Sequence, residues 1–387
     1  MSKQGQSTGR QLSALESLRG VAALMVLFYH LAELVKIPLP ANLGFVSSHF
    51  GLGVPLFYAL SGFVLSYGYA SRLEGRPEIM AFYVRRLFRI APLFYTMLAL
   101  WLVVNYVLWD KVFTSQTLFL NVTFLFGLVP GFHESVVWAG WSIGIEMLFY
   151  LVFPVLILFA HDVKSSIAFY IVALVLGTAI QNALLGMDVG SYAYMNLGTH
   201  LPSFAAGIAC FRIWEGMHFY RSKLAGWTLL SVALLLAVVL VVWKPLYLML
   251  WQLPFGNLER NVWSMVFGAS ILAVCITSVP ALERGPLRRL GKLSFSLPRA
   301  PAADGRADQA RPARVGRHAC AWRIRRVPGC CDGHDRLCLV GQRDRVPFHR
   351  DPGHRSGASR RRALCGAGAC TEMSGRCRRT ALSCVAR

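Results

Sequence analysis

Charge is scarce in this chain. Only 15% of its 387 residues are Asp, Glu, Lys or Arg, against 55% hydrophobic residues, and the mean hydropathy is +0.47. Soluble domains carry about 25% charged residues, so an ordinary globular enzyme is excluded and an all-α polytopic membrane protein is indicated. Cysteine is almost missing from residues 1–297, where only Cys210 and Cys275 occur, which excludes a disulfide scaffold there. That region also lacks glycine-rich phosphate loops, dinucleotide fingerprints and zinc-ligand spacings, so no metal is expected. No small-residue cleavage site follows the first apolar run, which therefore reads as a signal anchor.

Long apolar runs are what the chain does have. They predict helices at about 18–35, 50–69, 91–109, 142–160, 166–185, 197–214, 224–243 and 261–280. A shorter run at 113–129 reads as interfacial or re-entrant, which gives about eight or nine spans in all. With a cytoplasmic N-terminus, 13 basic residues fall in inner loops and four in outer ones. Such a bias orients a membrane protein.

Three stretches carry polar residues where hydrocarbon is expected. In the first span, Arg19 precedes His30 by eleven residues, roughly 17 Å along one helix. A titratable ring at membrane depth is costly and is a functional candidate by default. Next comes FYVRRLFRIAP, where Arg85 and Arg89, like Arg86 and Arg89, share a helical face. Guanidinium groups bind phosphates in bidentate fashion, although, taken alone, this stretch is better explained by positive-inside signalling and contact with anionic lipid. The third is WSIGIEMLFY, which places Glu146 about one and a half turns into its span, a depth similar to that of His30. A carboxylate beside an imidazole fixes its tautomer and raises its basicity. The same pair also suits a structural hydrogen bond between helices, or the proton relay of an exporter or flippase. Ser61-Gly62 and the Ser203/Gly207 pair in LPSFAAGIAC read as close helix packing.

LESLRGVAALMVLFYH, FYVRRLFRIAPLFY and WSIGIEMLFYLVFPVL, in that order, together with LPSFAAGIAC and LGKLSFSL, resemble the membrane-bound acyltransferase-3 family over residues 11–297. The resemblance implies transfer of an acyl group, most often acetyl from cytoplasmic acetyl-CoA, to a hydroxyl of a carbohydrate or glycoside. Surface polysaccharides and O-antigen units of lipopolysaccharide are typical acceptors. By position it implies His30 as the catalytic histidine and Glu146 as the carboxylate supporting it. Arg19, Arg85, Arg86 and Arg89 then engage the acyl-CoA donor. It further implies the bacterial inner membrane, lipid and a glycan acceptor as partners, a periplasmic partner protein to carry the acyl group outward, and no nucleic acid.

After Leu297 the polymer changes. Residues 298–387 hold 20 Arg and no Lys, Asn or Tyr, whereas residues 1–297 hold 7 Lys and all 13 Tyr. Codons for the missing types are AT-rich and those for the abundant types GC-rich. The expected domains are therefore a membrane acyltransferase at 1–297 and a disordered Arg/Cys-rich tail at 298–387, produced by a frameshift that removes the last one or two helices. An inactive remnant is a further alternative. Pairs such as Cys330-Cys331 and His334 match no standard zinc pattern.

Overall fold

A computed structural model of the protein describes residues 3–35, 40, 43–73, 75–217, 222–243, 246, 249, 258–283 and 285–294. The tail expected at 298–387 lies outside the described residues. Those described form helices and connecting turns, with no strand among them.

In chain order the helices are α1 (Lys3–Val35), α2 (Gly44–His49), α3 (Gly53–Tyr69), α4 (Arg76–Trp109), α5 (Ser115–Val122), α6 (Trp141–Phe159), α7 (Val163–Gly186), α8 (Leu197–Gly216), α9 (Lys223–Val242), α10 (Leu258–Ile276), α11 (Pro280–Glu283) and α12 (Pro286–Ser294). All eight expected runs are thus helical. Seven helices are long and apolar enough to cross a membrane, and α8 is outside that set. Its His200, Arg212 and Glu215 lower its hydropathy, and most of its length is buried against other helices. The 113–129 run holds only α5 and a short 3-10 turn at Leu125–Leu128. Eight residues rise about 12 Å, far short of a bilayer.

Local signals set several helix starts. Asp162 accepts from the Ser165 backbone N–H at 2.7 Å while Ser165 Oγ accepts from the Asp162 N–H at 3.0 Å, a reciprocal cap on α7. That exposed carboxyl is held below its usual range by its hydrogen bonds to Ser165. Asn196 caps α8 through the Thr199 N–H at 2.9 Å.

The centre of the bundle is the crossing of α3 and α8. A Cβ on Gly62 would come within 2.2 Å of the Phe204 carbonyl oxygen, and one on Gly207 within 2.0 Å of that of Ala59. No side chain fits there, so the two glycines let the backbones touch, as small residues do between membrane helices. Phe63, Phe211, Trp214, Phe267 and Val274 pack on one side of the crossing, and Phe82, Phe149, Phe153 and Phe204 on the other. A second close contact joins α1 to α12, where Gly20 meets Leu287 and Gly291 meets Glu16. Arg288 Nε donates to Glu16 at 2.8 Å and the Ser17 hydroxyl donates to the Leu282 carbonyl, closing this corner. By contrast α4, α7 and α9 turn large apolar side chains outward, Leu93, Val103, Val175 and Leu235 among them. Apolar surface of this extent suits lipid rather than water.

Candidate functional site

The candidate residues fall into two groups. Arg19, Arg86, Arg89 and Glu146 come together near the start of α4. Arg19 is 2% exposed and Arg86 4%. Arg19 and Arg89 lie within electrostatic reach of Glu146 and Tyr150, and Arg86 within reach of Tyr150. Glu146 Oε1 accepts from the Tyr150 hydroxyl at 2.5 Å and from Ser61 Oγ at 3.1 Å. Arg86 stacks over Tyr69 at 5.0 Å and Tyr150 at 5.7 Å, and its NH2 donates to the Tyr69 hydroxyl at 3.1 Å. Arg85 is exposed on the outer side of α4 but reaches the same Tyr69 hydroxyl through Nε at 3.2 Å. Sequence reading did not single out Tyr69 or Tyr150, because a tyrosine in an aromatic-rich span carries no distinguishing mark.

Three guanidinium groups, two of them buried, thus gather around one carboxylate. Guanidinium groups bind anions such as phosphate through charge-assisted hydrogen bonds.

His30 stands at the other end of the bundle. Its Nδ1 lies 2.8 Å from the Val26 carbonyl oxygen. A carbonyl only accepts, so Nδ1 carries a proton, and in the neutral ring the lone pair is then on Nε2; the tautomer is assigned from this bond. The ring meets Trp138 edge-on at 4.8 Å and Tyr29 at 5.3 Å. No hydrogen bond joins His30 to Glu146, so the structure does not bring the carboxylate onto the imidazole. The backbone of its own helix orients the ring instead.

Two cavities share His30 as a wall. One, of about 350 Å³, lies between α1, α3, α8 and α10 and is lined by Ser48, Trp141, His200, Glu259 and Arg260 as well. The other, of about 600 Å³, opens beside α4 and the 134–139 loop. A line of polar groups runs from the arginine cluster toward the first cavity. It passes from Glu146 through Ser61 to Tyr58, whose hydroxyl donates to the Ser142 carbonyl at 3.1 Å, and on to His200, 5.1 Å from Tyr58 between ring centroids. His200 Nε2 donates to the Tyr194 carbonyl at 3.0 Å. Nothing in LPSFAAGIAC marked His200, which precedes that segment on α8.

The loop that holds Trp138 is pinned from below. Buried Asn121 accepts from Ser135 Oγ at 2.6 Å and the Val136 N–H at 3.0 Å. Ser135 and Ala139 both take left-handed backbone conformations, with φ of 71° and 61°. Such strain persists only where surrounding contacts hold it.

His133, Ser191 and Glu134 form a line that resembles a hydrolase triad, with the polarity reversed. The Gly131 N–H donates to His133 Nδ1 at 3.2 Å, so Nε2 donates to Ser191 Oγ at 2.9 Å, and Ser191 donates to Glu134 at 2.8 Å. A histidine that donates to the serine cannot take its proton. The line fastens two connecting segments together. Burial holds His133 below the usual histidine range.

The helical bundle, the paired cavities on one intramembrane histidine and the buried arginines all lie within residues 12–297, the stretch matched by the model of the acyltransferase-3 family, described as an acyltransferase domain. The chain belongs to that family. A protein of Acidianus two-tailed virus, provisionally named acetyltransferase ORF330, is 36% identical over 143 residues, covering 37% of this chain and 40% of that protein. A Bacillus subtilis protein, provisionally named peptidoglycan O-acetyltransferase YrhL, is 28% identical over 227 residues, covering 52% of this chain and 33% of that protein. The chain thus spans well under half of either relative. No solved structure matches it. This member of the family is a multi-pass membrane protein.

Proposed function

We propose that this acyltransferase moves an acyl group, acetyl in the first instance, from acyl-CoA to a hydroxyl of a carbohydrate or glycoside. The observation that carries the reading is the separation of chemistries along α1. A cluster of guanidinium groups, Arg19, Arg86 and Arg89, sits at one end, and the imidazole of His30, oriented through Nδ1 by the Val26 carbonyl, stands about 17 Å along the helix from Arg19. The anionic donor suits the first end, with Arg85 at its exposed margin, and an extended pantetheine arm is about long enough to carry a thioester toward the second.

At His30, Nε2 takes the proton of the acceptor hydroxyl as its oxygen attacks the thioester carbonyl carbon. The C–S bond then breaks, and the imidazolium returns the proton to the departing thiolate. The Val26 carbonyl fixes the tautomer this step needs. Glu146 acts at a distance from the ring, setting the arginines and Ser61 in place. Metal plays no part in this scheme. Peptidoglycan, named for one relative, and other surface polysaccharides such as lipopolysaccharide are the acceptor class. The arrangement implies the inner membrane with a cytoplasmic N-terminus, so that the arginines face the acyl-CoA pool, and a periplasmic partner is compatible with it. Family membership removes the ground for the exporter reading.

The test is transfer of labelled acetyl from acetyl-CoA to polysaccharide by purified protein in detergent. Wild type labels the acceptor and His30→Ala does not. Equal labelling by both would remove His30 from the mechanism.

A further inference from the structure

The larger cavity beside His30 differs in chemistry from everything else in the bundle. Trp101, Trp109, Trp138 and Trp141 converge on its walls, with Glu33, Glu134 and Asn105 between them. Tryptophans at span ends ordinarily form an interfacial belt, each indole facing the headgroups singly. Here four from α4, the 134–139 loop and α6 face one space, and Trp138 also touches the His30 ring. The polar groups decide among occupants. An acyl chain needs no carboxylates, and Glu33 and Glu134 outnumber Lys111, the cation among the lining residues, so a CoA phosphate is repelled. A sugar ring presents flat C–H faces to indoles and hydroxyls to carboxylates and amides.

We propose that this cleft is the acceptor site and that it takes a neutral, extended glycan, stacked on Trp109 and Trp138 so that one hydroxyl reaches His30 Nε2. The proposal rests on the acyltransferase reading and adds the residues that select the acceptor. Titrating the detergent-purified protein with the soluble tetramer of N-acetylglucosamine gives a saturable change in tryptophan fluorescence. Trp109→Ala weakens it about fivefold to tenfold, and Trp109→Phe restores most of it. In turnover assays Trp109→Ala raises the acceptor KM by a similar factor and leaves the acetyl-CoA KM in place. No saturable change with this tetramer or with cellotetraose, or a rise in the acetyl-CoA KM instead, overturns the proposal. Absence of transfer both by wild type and by the protein carrying the restored frame after Leu297 would refute the acyltransferase reading, while the fluorescence titration still decides the glycan site.

A separate observation concerns the residues after Leu297. Leu, Ile, Val, Phe and Met share thymine at the middle codon position. Reading one nucleotide further along makes the third base of each tail codon the new middle base. That base is unconstrained for Arg, Ala, Gly and Pro, which dominate the tail. Reading two further makes the first base of the next codon the middle one, which is cytosine or guanine for those same residues and forbids an apolar run. From Leu297 to Pro301 the first shift, with Arg299 encoded as CGN, gives codons of the form TNC, CNC, GNG and CNC. These admit Tyr-Leu-Val-His, and no neighbouring pair in the tail forces a stop.

We infer that the gene's own frame continues one nucleotide ahead of the frame that gives residues 298–387 and encodes further membrane helix there. Sequencing the locus tests this. The expected frame is open, starts Tyr-Leu-x-His, has glycine across Trp322–Arg323 and contains an apolar run of about 20 residues. Early stops, or no such run, overturn it.

Discussion

The two ends of the bundle solve opposite problems with the same scaffold. At the arginine end, guanidinium groups gather and one tyrosine holds two of them: Tyr69 accepts from both Arg85 and Arg86. At the His30 end, carboxylates outnumber cations, rings predominate and the imidazole is held through its Nδ1 by the Val26 carbonyl. On the proposed function, the difference would keep a charged donor and a neutral acceptor apart without a separate domain. One helix, α1, joins the two because its Arg19 and His30 lie three turns apart.

The sharpest way to break this comparison is at the neutral end. His30→Ala should lower kcat by about a thousandfold, the usual scale of general-base loss, with the acetyl-CoA KM little changed, measured by label transfer to polysaccharide. At the charged end, Arg86→Ala should raise the acetyl-CoA KM by about ten- to a hundredfold, the worth of a charge-assisted contact. Arg86→Lys should recover little, since a point charge cannot reproduce the planar stack on Tyr69. If Arg86→Ala affected the acceptor KM instead, the assignment of the two ends would be reversed.

Between the ends, Gly207→Leu should destabilise the bundle by about 1–3 kcal/mol, because the added side chain meets the Ala59 backbone. Thermal unfolding in detergent reads this, and both KM values should rise together as the ends lose alignment. The smallest effect is acid sensitivity of the His133 line. Its pKa is lowered in the fold, so its contribution is full above the unfolded value near 6.5 and is lost as pH falls from there toward the lowered folded value. The Tm should decline between about pH 7 and 5, and His133→Gln should flatten that decline.

Much of this was legible in the chain itself. Every long apolar run became a helix, and Gly62 and Gly207 packed as their spacing indicated. Arg19, Arg86, Arg89 and Glu146 could be picked out because ionic groups in apolar runs are conspicuous. The partner of Glu146 could not be: depth matching put it beside His30, but α6 turns it toward Ser61, Tyr150 and the arginines. Depth along a helix is a one-dimensional quantity, while contact depends also on which face points where. His200 escaped notice, and Trp109, Trp138 and Trp141 read along the chain only as interfacial-belt residues, for a related reason, since each is unremarkable alone and acquires meaning only from its neighbours.

By itself the sequence determined the membrane class, the helices and the family, because these depend on local hydropathy and on short motifs read along one chain. Only the tertiary structure decided that the candidate residues form two groups, that Val26 holds the His30 tautomer, and that four tryptophans share one cavity. Those facts arise from side chains distant in sequence meeting across helix interfaces, and no periodicity along the chain encodes the rotation of one helix against another.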